Sequence, residues 1–184
     1  MKRIKLTIAT LALIFTTIFS VNAQAPYHYG IGVTAGNMQA LSFKACSGHF
    51  AFQLDLGTKV TYTNGRYSKH RSFKGLEIWD LELNPNFMFE GHLGGGMYGF
   101  VGIGASIGYC WSGISYNTGW FDIYHTRYDL GKCGANGIFG LEYKFNAPVA
   151  LQFDFRPGYG CLFAERTDIH YFDWSLNFSV RYTF

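Results

Sequence analysis

From Trp174 to Phe184 the chain alternates without a break. Trp174, Leu176, Phe178, Val180, Tyr182 and Phe184 are apolar, and Asp173, Ser175, Asn177, Ser179, Arg181 and Thr183 around them are polar. A period of two over this length predicts a β-strand with one apolar and one polar face. The strand ends on an aromatic residue, although a terminus that nothing ties down ordinarily frays into solvent.

The same alternation recurs upstream. Val149, Leu151, Phe153 and Phe155 alternate with Ala150, Gln152, Asp154 and Arg156, and Phe139, Leu141, Tyr143 and Phe145 alternate with Gly140, Glu142 and Lys144. Phe50, Phe52, Leu54 and Leu56 alternate with Ala51, Gln53, Asp55 and Gly57; Trp79, Leu81, Leu83, Phe87 and Phe89 alternate with Ile78, Asp80, Glu82, Asn84 and Asn86. Met97, Val101, Ile103, Ala105, Ile107 and Tyr109 are interleaved mostly with Gly and Ser. With residues 27–35 and 41–45 this predicts eight strands. Short turns fall near 47–48, 90–96 and 146–147, and longer connections at 64–74, 112–129 and 162–172. Only the first connection, near Asn37, departs from that rhythm by being short. Short turns at one end with both termini, and long loops at the other, predict an all-β, antiparallel, up-and-down barrel.

Composition supports strands: 18 Phe, 13 Tyr and 4 Trp accompany 23 Gly in 184 residues, a usage that favours short strands and tight turns. Residues 1–25 stand apart. Lys2, Arg3 and Lys5 precede an apolar run over 6–21 and small residues at Ala23 and Ala25, the layout of a secretory signal peptide that is removed. The domain expected to fold is therefore 26–184. Fifteen Lys and Arg stand against 12 Asp and Glu; removing the three leader cations leaves 12 against 12, so nothing electrostatic points to a nucleic-acid partner.

Residues 26–184 resemble the small eight-stranded bacterial outer-membrane β-barrel proteins of the OmpA/OmpX type, most specifically at GLEYKFNAPVALQFDFRP (140–157) and VRYTF (180–184). The resemblance implies a transmembrane barrel in the Gram-negative outer membrane, with both termini periplasmic. It also implies that Tyr182 and Phe184 form the terminal signal read by the barrel-assembly machinery. The expected partners are that machinery, outer-membrane lipid and lipopolysaccharide, and the protein is expected to be a monomer.

In such a barrel the polar face lines the lumen. Parity then places Lys44, Asp55, Lys59, Asp80, Glu82, Glu142, Lys144, Asp154, Arg156 and Arg181 inside, five acids with five bases. Enclosed charges must be paired, because an uncompensated one is costly, and eight strands leave room only for side chains. The expectation is an ion-paired plug, with a proton relay or gated pore as the sharper alternative.

Four cysteines suit an oxidising compartment. Extending the ladder one-to-one from a hairpin centred on Ala147 puts Cys133 opposite Cys161, a candidate disulfide unless a bulge at 156–158 breaks the register. Cys46 and Cys110 fall on the inner face. No CxxC spacing supports zinc or redox chemistry.

Residues 29–36 and 100–108 both contain GxGxxxG, close to a dinucleotide fingerprint, but neither leads into a helix whose N-terminus could receive a phosphate. Inward glycines that make room for larger side chains account for them better. DIYHTRYD (122–129) and DIHYFD (168–173) set His among carboxylates in predicted loops, where solvated charge is the plainer reading and a divalent cation the sharper one. The loop NGRYSKHRSFKG (64–75) carries Arg66, Lys69, His70, Arg71 and Lys74, a candidate anion-binding surface for lipopolysaccharide phosphates. No cofactor, metal ligand or catalytic residue is assigned. The expected role is non-enzymatic, in envelope structure or surface interaction. The alternatives are a lipid A-modifying barrel enzyme, for which no compact His and Ser motif is found, and a soluble lipocalin-like barrel binding an apolar ligand, which needs the apolar face inside.

Overall fold

The structure is a computed structural model that describes the backbone of residues 27–63, 66–68, 71–72, 76–117, 123–163 and 168–184, with side chains described for 27–59, 80–110, 131–163 and 170–184. The leader assigned to 1–25 lies outside the described residues. Among the described residues ten strands follow one another: β1 Tyr29–Gly36, β2 Met38–Ser47, β3 Phe50–Thr63, β4 Arg66–Ser68, β5 Arg71–Ser72, β6 Leu76–Gly94, β7 Met97–Asn117, β8 Ile123–Lys144, β9 Val149–Phe163 and β10 Asp168–Thr183. Strands β4 and β5 pair only with each other, and the other eight close into an antiparallel barrel in the order β1-β10-β9-β8-β7-β6-β3-β2. The barrel is up-and-down, since apart from the closing β1–β10 pair each of these eight strands meets the barrel strands that precede and follow it in the chain.

The closing ladder pairs β1 with β10 from Gly36↔Asn177 to Gly30↔Thr183 and extends to Phe184. Tyr29 N donates to Phe184 O at 3.0 Å and Phe184 N donates to Tyr29 O at 2.8 Å, and the two rings lie 5.9 Å apart. The turns between β2 and β3 and between β6 and β7 use left-handed backbone at Gly48 (φ 61°) and Gly95 (φ 57°), a conformation that costs glycine little.

Strands run further than alternation alone predicts. The connection expected over 112–129 is largely ladder, with β7 and β8 paired out to Asn117↔Ile123. The expected turn at 90–96 likewise shortens, because β6 continues to Gly94. Gly-rich stretches such as 131–137 show little hydrophobic alternation, yet neighbouring strands supply the hydrogen bonds that hold them extended.

The faces divide as in a membrane barrel. Ile103, Phe50 and Leu41 are 73%, 70% and 67% exposed, whereas Lys44, Asp55, Asp154 and Arg181 are fully buried. The soluble lipocalin-like alternative needed the reverse, and the apolar face on the outside overturns it. The interior is not wholly polar: Tyr27, Met88, Phe100 and Ile138 form a buried apolar cluster with Cys46, Ala51 and Ala150. Tyr27 breaks the parity of its neighbours. Tyr29, Ile31 and Val33 face outward, but ahead of β1 the chain leaves the ladder and Tyr27 turns into the barrel mouth.

Inward glycines receive these rings. A Cβ on Gly140 would lie 2.0 Å from Phe153 O and 2.8 Å from the Phe100 ring, and one on Gly160 would lie 2.4 Å from the Tyr171 hydroxyl. Phe100↔Gly140 and Tyr171↔Gly160 are cross-strand partners, so each ring lies over the flat backbone opposite it. The GxGxxxG stretches sit in β1 and β7 within the ladder, with no helix after them.

Candidate functional site

The lumen stacks its charges in three tiers, each built from alternate residues of several strands. Nearest the short turns, Lys44 Nζ on β2 lies 2.5 Å from Glu90 Oε1 and 2.7 Å from Glu142 Oε2. Arg181 Nη1 stands 3.4 Å from the same Glu142 oxygen and donates to Gln152 Oε1 at 2.8 Å, while its Nε donates to Ser42 Oγ at 3.1 Å. Tyr27 completes the tier, its hydroxyl donating to Glu142 Oε1 at 2.9 Å. Lys44 Nζ also lies 5.8 Å from the centre of the Tyr27 ring and 5.5 Å from that of Phe100, within range of a cation–π attraction.

In the middle tier Arg156 grips two carboxylates: Nη1 to Asp55 Oδ2 at 2.7 Å and Nε to Asp154 Oδ1 at 2.6 Å. Amides fill the remaining valences. Gln53 Nε2 donates to Asp55 Oδ2 at 2.8 Å, Gln152 Nε2 to Asp154 Oδ2 at 2.8 Å and Asn177 Nδ2 to Asp154 Oδ1 at 3.0 Å. In the third tier Lys132 bridges Asp80 and Glu82, and Lys59 pairs with Asp173. A cavity of about 20 Å³ between the second and third tiers has room for about one water molecule.

Nine of the ten residues that parity assigned inward are buried; Lys144 is the exception. It sits at the end of β8, where its Nζ donates to the carbonyls of Phe145 and Ala147 at 2.6 and 2.7 Å, and so caps a turn. Three partners were missed. Glu90 lies where the pattern predicts a turn, Lys132 lies in a stretch without apolar alternation, and Asp173 lies at the start of the predicted last strand. Lys132 shares the parity of Glu142 on β8, which was the available signal. With them the described buried charges number seven acids against five bases, so the interior is net acidic where five against five had been expected.

Pairing between β8 and β9 stays in one register from Lys144↔Ala150 to Gly131↔Phe163, and Cys133 stands opposite Cys161. The feared bulge at 156–158 is absent from that register. The sulfurs are not bonded to each other in the structure; Cys161 Sγ lies 3.8 Å from Leu162 O as a donor. Cys46 and Cys110 are buried in the lumen.

The loop side chains Arg66, Lys69, His70, Arg71 and Lys74, and those of 122–129, lie outside the described residues. In the 168–173 stretch His170 is exposed and stacks on Tyr159 at 5.9 Å, whereas Asp173 turns inward to Lys59, so the two do not converge on a cation.

No family model matches the chain, and no curated protein matches it. Among solved structures it is similar to Neisserial surface protein A, with 12% identity and a TM-score of 0.55 over 85% of this chain and 93% of that one. It also matches the N-terminal β-barrel domain of Pseudomonas aeruginosa OprF, with 15% identity and a TM-score of 0.39 over 85% of this chain and 95% of that one. At such identity the first similarity is one of fold, the closed eight-stranded barrel.

Proposed function

We propose that this chain is an integral outer-membrane β-barrel protein of a Gram-negative envelope, non-enzymatic, with a structural or surface-interaction role. The observation that carries the reading is the inversion of faces: large apolar side chains such as Ile103, Phe50 and Leu41 stand outside, while Lys44, Asp55 and Arg181 are sealed within. Water penalises such an outer surface, and lipid removes the penalty while the closed ladder leaves the wall few unpaired backbone groups. The fold shared with Neisserial surface protein A agrees with it.

In this reading the short turns and both termini face the periplasm. Tyr182 and Phe184 serve as the terminal assembly signal, and the barrel works as a monomer. The three tiers stiffen the wall and block the lumen. Arg66, Lys69, His70, Arg71 and Lys74 present cations to lipopolysaccharide phosphates at the cell surface; their replacement by Gln should weaken binding to phosphorylated lipid A, and unchanged affinity would remove that part of the proposal.

The test is refolding of the mature chain from urea into phosphatidylcholine vesicles, then recording in a planar bilayer. Insertion with β-type circular dichroism, a protease-resistant core and no steady conductance is the expected result. A chain that stays in the aqueous phase refutes the membrane reading, and a sustained current refutes the plug.

A further inference from the structure

The barrel wall is uneven beside its first hairpin. Strands β1 and β2 have 8 and 10 residues, whereas the strands flanking them, β10 and β3, have 16 and 14. The last β1 pair is Gly36↔Asn177 and the first β2 pair is Met38↔Lys59. Beyond that level β10 and β3 keep their ladders to β9 and β6 but are not paired with each other. Asn37 finishes the hairpin: its N donates to Leu176 O at 3.1 Å and its Oδ1 accepts from Leu176 N at 3.0 Å. Because main-chain groups alternate in direction along a strand, those of Trp174 and Phe172 face the same seam as those of Leu176.

Lys59 of β3 and Asp173 of β10 form an ion pair across this seam. Among the described residues it is the most accessible ion pair of the lumen, with side chains 9% and 10% exposed against 0–4% for the others. Among the described residues Lys59 forms one ion pair, whereas Lys44, Lys132 and Arg156 form two each. Behind the pair lies the cavity of about 20 Å³, with Met38, Glu82, Asn84 and Arg156 in its wall. Outside, Phe172, Trp174 and Tyr159 are 66%, 51% and 59% exposed, an aromatic ledge along the rim.

We propose that the β3/β10 seam is a lateral binding site for an anionic single-chain amphiphile, such as a long-chain carboxylate, whose tail lies on Phe172 and Trp174 and whose head replaces the Asp173 carboxylate at Lys59. The site rests on the membrane reading, because lipid is what delivers such a molecule to the outward face. Elsewhere in the wall opening would break a backbone ladder; here it exchanges one carboxylate for another. An anionic head keeps Lys59 paired, since a cation left without a partner inside the wall is costly, while the displaced Asp173, the most exposed of the described lumenal carboxylates, turns to water at the rim.

The test uses the mature protein in phosphatidylcholine vesicles, with dibromostearate as a quencher of tryptophan fluorescence and its methyl ester as the uncharged control. Saturable quenching by the acid, absent for the ester and reduced in Trp174→Phe, is expected. Lys59→Gln should weaken the acid about tenfold, as for loss of one charge-assisted hydrogen bond, and Asp173→Asn should tighten it. Equal quenching by acid and ester in the unmodified protein overturns the proposal without any variant, as does indifference to Lys59→Gln. Heat-dependent gel mobility reports the closed barrel separately: its absence in the unmodified protein would refute the membrane reading, and its presence with no acid-specific quenching would refute the seam alone.

Discussion

The Tyr27 hydroxyl donates to Glu142 Oε1 at 2.9 Å, from a residue that precedes the first strand to a carboxylate that Lys44 and Arg181 also hold. The mouth at the short-turn end is thereby closed by a side chain from outside the ladder. Tyr27→Phe should lose about 1.5–3 kcal/mol, the cost of a hydrogen bond to a charged group. Tyr27→Ala should lose about 3–5 kcal/mol because it also empties an aromatic site. Urea unfolding in vesicles, followed by tryptophan fluorescence, measures both; an undiminished stability in Tyr27→Phe would mean that the hydroxyl contributes nothing.

Arg156 and Lys144 were alike by parity and differ in place. Replacing Arg156 with Met leaves Asp55 and Asp154 enclosed without their cation, and about 3–5 kcal/mol should be lost. Lys144→Gln, at a turn, should change stability by less than about 0.5 kcal/mol. The same unfolding assay ranks the two, and a comparable loss from both would contradict the assignment of Lys144 to the turn.

Gly140→Ala places a methyl group 2.0 Å from Phe153 O and should destabilise the barrel by about 1–3 kcal/mol through overpacking. Gly131→Ala meets nothing nearer than 3.9 Å and serves as the control, with a change within about 0.5 kcal/mol. Loss of heat-resistant mobility at lower temperature in Gly140→Ala alone is the expected result.

The sequence made the repeating half of this architecture legible. Alternation from Trp174 to Phe184 and from Val149 to Phe155 marks strands because one face meets an apolar surrounding and the other does not. It fades where the wall is built from glycine, as at residues 131–137, since a residue without a side chain carries no pattern although its backbone pairs equally well. That is why Lys132 was missed. Tyr27 was unreadable for another reason: parity holds only inside a ladder, and the chain leaves it before Tyr29. The seam between β3 and β10 depends on relative strand lengths, which a sequence pattern fixes only to within a few residues.

Cys133 and Cys161, cross-strand partners on β8 and β9, should join when a dithiol oxidant such as diamide removes two electrons and two protons. Cys46 and Cys110, buried on the inner face, should not. Mass spectrometry after alkylation under denaturing conditions should find one disulfide, in a peptide linking 133 to 161. A bond to either lumenal cysteine would contradict the register.

The most direct test of the central claim is fractionation of expressing cells, with gel mobility of the membrane fraction compared before and after boiling. The account predicts recovery in the outer membrane and a heat-dependent shift, as a closed barrel with its apolar face in lipid requires. Recovery in the soluble periplasm without a shift would contradict it.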